Sequence, residues 1–292
     1  MLTGEYFVLD GALALALPTQ QGQSLQIKKG NKDLQWSSYD ENGLLWFQAT
    51  FSLPSCTCQT SSDASIGQRL ESILKAIEIQ RPGFWAQQEP VNIETQLDFP
   101  RKWGLGTSST LIVNMAQWAE INAYQLLGDT FGGSGYDIAC AQASGPISYQ
   151  LVDDTPRVRS ARFSPSFKKC LYFVYLEQKQ NSREGIERYR KRKIWPETIT
   201  QISEISRKFE QADSLEAFEK LMQIHEEIVA GSIGLERAQQ RYFSDFWGQV
   251  KSLGAWGGDF VLATSLNSEQ ETKKYFNEKG FETVLKYEDL IK

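Results

Sequence analysis

The heptapeptide GLGTSST, residues 104–110, places two glycines and four hydroxyl side chains at the predicted start of a helix. A glycine-rich turn lets the backbone approach a ligand closely, because glycine has no Cβ and tolerates positive φ. The first turn of a helix leaves N–H groups unpaired and carries the positive end of the helix dipole, which suits phosphate. The hydroxyls of Thr107, Ser108 and Ser109 are suitable ligands for phosphate or magnesium. On this stretch alone, an ordinary helix cap with a flexible lead-in remains an equal alternative.

Two further glycine-rich segments carry residues that suit the same chemistry. In GGSGYDIACA, Asp137 follows three glycines where a helix is expected to begin. A carboxylate there is either a partner of the helix dipole or a base that orients or deprotonates a substrate hydroxyl. GAWGGDF, residues 254–260, has three glycines between two strand-like runs. A two-residue hairpin turn needs fewer glycines. Close approach of a ligand or another backbone is therefore an alternative to a simple hairpin.

Composition excludes several other classes of function. The formal net charge of −5 argues against a general affinity for nucleic acid or anionic membrane. The basic run RYRKRK, residues 188–193, is interpreted as the solvated end of a helix. No apolar run is long enough to span a bilayer, and the apolar start contains Glu5 and Asp10 without a basic leading segment. We therefore expect neither nucleic acid nor a membrane as a partner. A cytoplasmic location, a small-molecule substrate and a monomer or homodimer are further expectations for this chain.

Histidine and cysteine usage argues against further classes of enzyme and metal site. The chain has one histidine, His225, in a segment with helical periodicity, and we interpret it as a residue on a helix face. A Ser-His-Asp hydrolase, a Cys-His protease and a histidine-rich metal centre each need histidine beside the nucleophile or metal, so all three are disfavoured. The four cysteines lack metal-ligand spacing, and we expect free thiols: Cys56, Cys58, Cys140 and Cys170.

The elements that must position these residues follow from hydrophobic periodicity. Short β-branched or aromatic runs predict strands at residues 3–9, 12–17, 25–28, 44–53, 91–97, 147–151 and 158–163. A helix capped by Ser62 or Asp63 is predicted to end before Pro82. A second helix is expected to run from the GLGTSST turn to Gly128.

The last part of the chain has a different organisation. Strand, helices over much of 182–231, two strands around GAWGGDF, a helix near 269–279 and a strand near 283–287 give the order βαββαβ. This order is typical of a ferredoxin-like arrangement. A length of 292 residues accommodates two domains, and we predict the boundary near residue 165, with domains 1–165 and 166–292.

Together the motifs resemble those of the GHMP kinases, the superfamily of galactokinase, homoserine kinase, mevalonate kinase and phosphomevalonate kinase. The resemblance covers nearly the whole chain. The four matching segments are GEYFVLDGALALALPT near the N-terminus, FPRKWGLGTSST, GSGYDIACAQASG and LGAWGGDFVLA. The GYDIA string is similar to that of the bacterial GYDIA-type GHMP kinases. The resemblance implies an α+β fold with two domains, an N-terminal one like ribosomal protein S5 domain 2 and a C-terminal ferredoxin-like one.

The resemblance also implies an activity and roles for individual residues. The activity is an ATP- and Mg²⁺-dependent kinase acting on mevalonate or phosphomevalonate in isoprenoid precursor synthesis. The catalytic residues implied are Asp137, as base or orienter, and Lys102. Those implied to bind the ATP phosphates are Gly104, Leu105, Gly106, Thr107, Ser108 and Ser109, with the Ser108 hydroxyl as Mg²⁺ ligand. Those implied to line the substrate side are Glu5, Tyr6, Gly135, Arg183, Gly254, Gly257 and Gly258.

Some features bear on which activity is expected. GEY and the GSGYD context favour phosphomevalonate kinase, and a phosphorylated substrate needs cations near Asp137. The candidates are Arg101, Lys102, Lys179 and Arg183, each of which is alternatively a solvated surface charge. Relatives usually carry a segment ending in Gly-Lys before the first motif, and the printed sequence shows none. A second acidic Mg²⁺ ligand has no counterpart, and Trp256 replaces a usual glycine, which predicts a narrower or reshaped pocket. Two alternatives stay open: an enzyme like diphosphomevalonate decarboxylase, and a degenerate GHMP protein that binds nucleotide without turnover.

Overall fold

The computed structural model describes residues 1–178, 182–256 and 258–292, without the side chains of residues 182 and 183. The described residues form twelve strands: β1 (Ala14–Ala16), β2 (Gln23–Lys29), β3 (Leu34–Tyr39), β4 (Leu45–Phe51), β5 (Cys58–Ser61), β6 (Val91–Leu97), β7 (Ile147–Val152), β8 (Thr155–Ser160), β9 (Leu171–Tyr175), β10 (Val250–Ser252), β11 (Phe260–Thr264) and β12 (Val284–Lys286). They form ten α-helices: α1 (Ala64–Gln80), α2 (Thr107–Ala119), α3 (Ala123–Thr130), α4 (Tyr136–Gln142), α5 (Ser182–Arg190), α6 (Pro196–Glu210), α7 (Leu215–Ile233), α8 (Ala238–Tyr242), α9 (Glu269–Glu278) and α10 (Tyr287–Leu290).

The chain packs into two compact units. Unit 1 comprises Met1–Gln20, Lys102–Gly104 and Ala143–Lys292, and unit 2 comprises Gln21–Arg101 and Leu105–Gln142. The first twenty residues and residues 143–165 pack with the C-terminal part, so these units differ from the segments 1–165 and 166–292. The division into domains at about residue 165 stays a prediction.

Unit 2 is built on a five-stranded sheet with the order β2-β6-β3-β4-β5. β3 and β6 run parallel, whereas the other neighbours are antiparallel. Burial alternates along β6, so that one face of the sheet packs in the core with α1, α2 and α3. β3 was not predicted, because its polar residues interrupt the apolar run. Its alternate residues Leu34, Trp36 and Ser38 are nevertheless buried.

The helices of unit 2 begin and end at recognisable signals. The Asp63 carboxylate accepts the Ile66 N–H at 3.1 Å, which confirms the predicted cap of α1. The single helix predicted up to Gly128 is wrong, because α2 ends where Glu120 adopts a left-handed conformation with φ 53°. The Asn122 side chain then caps α3 by accepting the N–H groups of Tyr124 and Gln125. The chain therefore turns between two helices whose apolar residues read as one continuous pattern.

The N-terminal strand predicted at residues 3–9 is also wrong. Thr3 forms only an isolated bridge with Leu15, and Phe7–Asp10 is a turn of 3₁₀-helix. Gly4 and Tyr6 have φ values of 87° and 63°, which an extended strand does not allow. The following residues form β1 in an antiparallel sheet of order β1-β7-β8.

The C-terminal part of unit 1 contains a four-stranded antiparallel sheet of order β10-β11-β9-β12. Helices α5 to α8 lie in sequence between β9 and β10, and α9 lies between β11 and β12, which confirms the predicted βαββαβ order. β9 and β11 are buried along their whole length, as expected for the two central strands. None of the four cysteines, all of which are described, forms a disulfide, as predicted. Among the described residues, no helix is both long enough and apolar enough to cross a membrane.

Candidate active site

The GLGTSST segment forms the entry to α2 in unit 2. Gly106 precedes the helix with φ 81° and, having no side chain, provides no side-chain cap for the first-turn N–H groups. A Cβ on Gly106 would meet no atom within 4 Å, so the space beside this residue is open. An uncapped helix N-terminus next to open space is suited to an anion, since the N–H groups and the helix dipole both favour negative charge.

The four hydroxyls of this segment differ in their availability. Ser108 is exposed and Thr107 is half-buried, whereas Ser109 is only 8 % exposed. The Thr110 hydroxyl lies 3.1 Å from the carbonyl oxygens of Gly106 and Thr107 and is used within the helix. The half-buried Leu105 separates the two glycines. Ser108 and Thr107 are therefore the hydroxyls that a ligand of this helix end can reach.

Asp137 lies in the first turn of α4, as the glycine pattern predicted. The three glycines before it have left-handed φ values: 69° at Gly132, 104° at Gly133 and 80° at Gly135. The half-buried carboxyl has its pKa raised by burial, an effect that a hydrogen bond with Tyr136 partly offsets. α4 packs against α2 within unit 2. One unit thus holds both the candidate anion-binding helix and the candidate base.

The predicted cations occupy different surroundings. The Arg101 guanidinium lies 3.7 Å from the centre of the Trp46 ring in unit 2. The exposed Lys102 lies in unit 1 with its ammonium 5.9 Å from the centre of the Tyr175 ring, and its carbonyl accepts the Tyr175 hydroxyl at 2.8 Å. Lys179 lies outside the described residues, and for Arg183 only the backbone position on α5 is described.

Glu5 and Tyr6, predicted to line the substrate side, are both buried in unit 1. The Tyr6 hydroxyl donates to the Ala255 carbonyl at 2.7 Å, and its ring stacks on Tyr189 with 5.7 Å between the centres. A Cβ on Gly185 would lie 2.3 Å from the Tyr6 hydroxyl, so α5 approaches this ring closely only because it has glycine there. Burial raises the pKa of Tyr6 to about 12, so the phenol is protonated and remains a donor.

The LGAWGGDFVLA segment, which we call the third motif, contacts the first glycine of GLGTSST. A Cβ on Gly104, which has φ 67°, would lie 2.7 Å from the Asp259 carboxylate, so the two segments touch within unit 1. Gly254 has φ 63° and open space around it, Gly258 is buried, and Gly257 lies outside the described residues.

Trp256 was predicted to narrow or reshape a pocket, but its indole lies in the core. Its side chain is 2 % exposed and belongs to a core cluster with Tyr6, Tyr189 and Val229. The indole therefore fills the core of unit 1 rather than narrowing a pocket.

Four buried titratable residues come together in unit 1, a grouping that was not predicted from the sequence. We call them the buried cluster: Glu5, His225, Glu226 and Lys251. His225 lies on α7, as expected for a helix residue, but it is fully buried and its Nε2 accepts the Gly4 N–H at 3.1 Å. Burial and the Lys251 ammonium hold the pKa of His225 well below its usual value, so the imidazole is neutral. A single histidine next to glutamate within an apolar helix pattern was the available signal.

Lys251 and Glu5 form the ion pair at the centre of the buried cluster. The ammonium donates to Glu5 Oε1 at 2.6 Å, and both side chains are at most 1 % exposed. Burial raises the pKa of the Glu5 carboxyl, and the Lys251 ammonium partly offsets this increase. Glu226 accepts the Ser252 N–H at 3.0 Å, and burial raises its pKa to about 8.

Magnesium is the metal that the fold family implies. Among the described residues, no group of three or more His, Cys, Asp or Glu side chains could hold a metal. Mg²⁺ in kinases is commonly bound through one or two protein oxygens together with substrate phosphates. The exposed Ser108 hydroxyl in the first turn of α2 fits that kind of site, whereas a metal centre built from protein side chains alone does not.

No family model and no curated protein matches the sequence. Solved structures do match it in fold. The Lin0012 protein from Listeria innocua has a TM-score of 0.70 at 16 % identity and covers 97 % of this chain and 93 % of its own. L. major mevalonate kinase in complex with R-mevalonate gives 0.67 at 16 %, covering 98 % and 91 %. Streptococcus pneumoniae phosphomevalonate kinase, in complex with phosphomevalonate and AMPPNP, gives 0.70 at 16 %, covering 98 % and 96 %. The two kinases among these neighbours are named members of the GHMP superfamily that the motifs resemble, and the chain has the same α+β fold as all three structures, as the motifs predicted.

Proposed function

We propose that this protein is an ATP- and Mg²⁺-dependent kinase of a small hydroxy acid, mevalonate or phosphomevalonate. Its GHMP kinase fold and its motifs support this proposal. One observation carries the proposal: unit 2 combines the uncapped N-terminus of α2 with Asp137 in the first turn of the adjacent α4. Phosphoryl transfer needs an anion site, neutralisation of charge and one carboxylate near the hydroxyl, and it needs no histidine.

The motif residues of unit 2 have distinct proposed roles. The N–H groups that follow Gly106 bind the ATP phosphates, and the Thr107 hydroxyl adds a donor at the same helix end. Ser108 would hold Mg²⁺, which neutralises the phosphate charge when it is bound. Asp137 orients the acceptor hydroxyl and takes its proton. The burial that raises the pKa of Asp137 makes it a stronger base than an exposed aspartate.

The choice of acceptor rests on the sequence motifs and on two of the neighbours. GEY and the GSGYD context favour a phosphorylated acceptor, and one neighbour holds phosphomevalonate whereas another holds R-mevalonate. Another neighbour is a D-glycero-D-manno-heptose 1-phosphate kinase, at 14 % identity and a TM-score of 0.60. A phosphorylated sugar therefore belongs in the panel of acceptors to be compared.

The test is ADP release measured with MgATP and three acceptors: mevalonate, phosphomevalonate and a heptose 1-phosphate. We expect turnover with one of the first two, and a loss of about 10²–10⁴-fold in kcat for Asp137→Asn, the range typical of a general base. Asp129→Asn is the matched control, because Asp129 is exposed and its carboxylate accepts only a Gln80 amide among its described contacts.

Four results would contradict parts of this proposal. Turnover only with the heptose phosphate would reject the acceptor, and unchanged kcat in Asp137→Asn would reject the proposed base. MgATP binding in calorimetry without turnover on any acceptor would favour the degenerate, nucleotide-binding alternative. Release of carbon dioxide from diphosphomevalonate together with ADP would identify the decarboxylase instead.

A further inference from the structure

The buried cluster carries a large free-energy cost of desolvation. Lys251 and His225 are fully buried, and Glu5 and Glu226 are 2 % and 1 % exposed. Glu5 Oε2 and His225 Nδ1 have no hydrogen-bond partner among the described residues. Taking charges out of water is costly, and apolar residues of similar volume often replace a buried ion pair without loss of stability. Stability alone therefore does not account for this cluster.

The contacts of the cluster join three segments of unit 1. Lys251, on β10, donates to Glu5 Oε1 at 2.6 Å and to the Ser252 carbonyl at 2.9 Å. On α7, Glu226 accepts the Ser252 N–H, and the neighbouring His225 accepts the Gly4 N–H. The first motif (GEYFVLDGALALALPT, residues 4–19) and the strand that leads into the third motif are thus both attached to α7 and to each other.

Each attachment lies next to a residue proposed for the substrate side. Tyr6 follows Glu5 and has φ 63°, a left-handed conformation that is strained for an aromatic residue. Its hydroxyl reaches the Ala255 carbonyl at 2.7 Å, in the loop that follows Ser252. The strained backbone at Tyr6 needs surrounding contacts to hold it, and the buried cluster supplies them immediately before this residue.

We propose that Lys251 and His225 are positioning residues: within unit 1 they fix the first motif against the third motif, and so hold the residues proposed to line the acceptor without touching substrate themselves. The inference rests on the proposed function, because it assigns the acceptor side to these two motifs. The Lys251–Glu5 ion pair sets the spacing of the motifs, whereas the His225–Gly4 contact sets the direction of the backbone that enters Tyr6.

The first test removes both charges of the ion pair together. In Lys251→Met with Glu5→Gln no unpaired charge is buried, so we expect the melting temperature to stay near the wild-type value. We expect kcat/KM for the acceptor to fall about 10²-fold, the effect of a displacement of about 1 Å, with KM for ATP within two-fold. The control, Lys279→Met with Asp245→Asn, removes an exposed ion pair at 2.7 Å. It should change neither the melting temperature nor the kinetic constants for acceptor and ATP. A stable variant with wild-type acceptor kinetics would overturn the proposal.

The second test uses His225, and it tests the positioning role even if the first variant does not fold. In His225→Gln the amide oxygen can accept the Gly4 N–H in place of Nε2, whereas His225→Leu leaves that N–H unpaired. The two variants are compared at equal melting temperature. A higher kcat/KM for the acceptor in His225→Gln than in His225→Leu supports the positioning role. Equal kinetics in the two variants would overturn the role of His225.

Hydrogen exchange separates this inference from the proposed function. If the wild-type protein has no turnover with any acceptor, the proposed function fails, and exchange alone decides the positioning role. Faster exchange in the charge-free variant, confined to residues 2–10 and 250–256, supports the inference. Exchange that is unchanged, or that is faster throughout unit 1, would overturn it, since neither outcome singles out the two motifs.

Discussion

A methyl group added at Gly104, the first residue of GLGTSST, should lower the free energy of unfolding through two contributions that can be measured separately. Gly104 has φ 67°, and its Cβ would lie 2.7 Å from the Asp259 Cγ and Oδ2 atoms. In Gly104→Ala the left-handed backbone costs about 1–2 kcal/mol, and overpacking against the carboxylate adds about 1–3 kcal/mol. We therefore expect a total loss of about 2–5 kcal/mol in the free energy of unfolding.

Asp259→Ala provides the background that separates the two contributions. With the carboxylate removed, Gly104→Ala should cost only the backbone part of about 1–2 kcal/mol, a coupling of about 1–3 kcal/mol between the two positions. Gly106→Ala is the matched control, since Gly106 has φ 81° and open space, and it should cost about 1–2 kcal/mol in either background.

The assay is equilibrium urea unfolding of the four variants of this cycle and of the control pair, followed by circular dichroism. Equal cost of Gly104→Ala in both backgrounds would refute the contact between GLGTSST and the third motif. A coupling as large for Gly106 would show that Asp259 acts through the general stability of the fold instead.

Two further predictions concern unit 1. Tyr6→Phe removes the donor to the carbonyl of the half-buried Ala255, so thermal unfolding should show a loss of about 0.5–1.5 kcal/mol; no change in melting temperature would contradict this. For Glu226, burial raises the pKa from 4.5 to about 8, so folding takes up a proton between these values and stability falls as the pH rises through this window. Glu226→Gln cannot titrate, so its free energy of unfolding should fall less between about pH 5 and pH 8, and a slope as steep as the wild type's would contradict the assignment.

Local signals in the sequence predicted much of this fold. Asp63 was predicted as a possible cap of α1 because an acceptor side chain directly precedes a run of helical periodicity, and such a cap acts within one turn. The βαββαβ order of the C-terminal part followed from alternating strand and helix patterns separated by glycines. Asp137 was placed at the start of a helix for the same reason.

The errors fall where local pattern and backbone geometry disagree. Residues 3–9 have strand composition, yet packing holds Tyr6 in a left-handed conformation and no strand forms. The apolar pattern after GLGTSST continues through Glu120, where a left-handed residue nevertheless ends α2. Composition carries no information about a single positive φ outside glycine, because tertiary contacts stabilise it.

By itself, the sequence determined the chemistry available to this protein: glycine turns that admit an anion, hydroxyls at a helix start, one aspartate at the start of α4 and a single histidine. Those properties reside in residue types and short spacings. The tertiary structure decided which of these groups are accessible and which are paired. It left Ser108 exposed, placed Trp256 in the core, and joined His225 to the Gly4 backbone across 221 positions of the chain. Such pairings are set by packing between distant segments, and no short-range pattern encodes them.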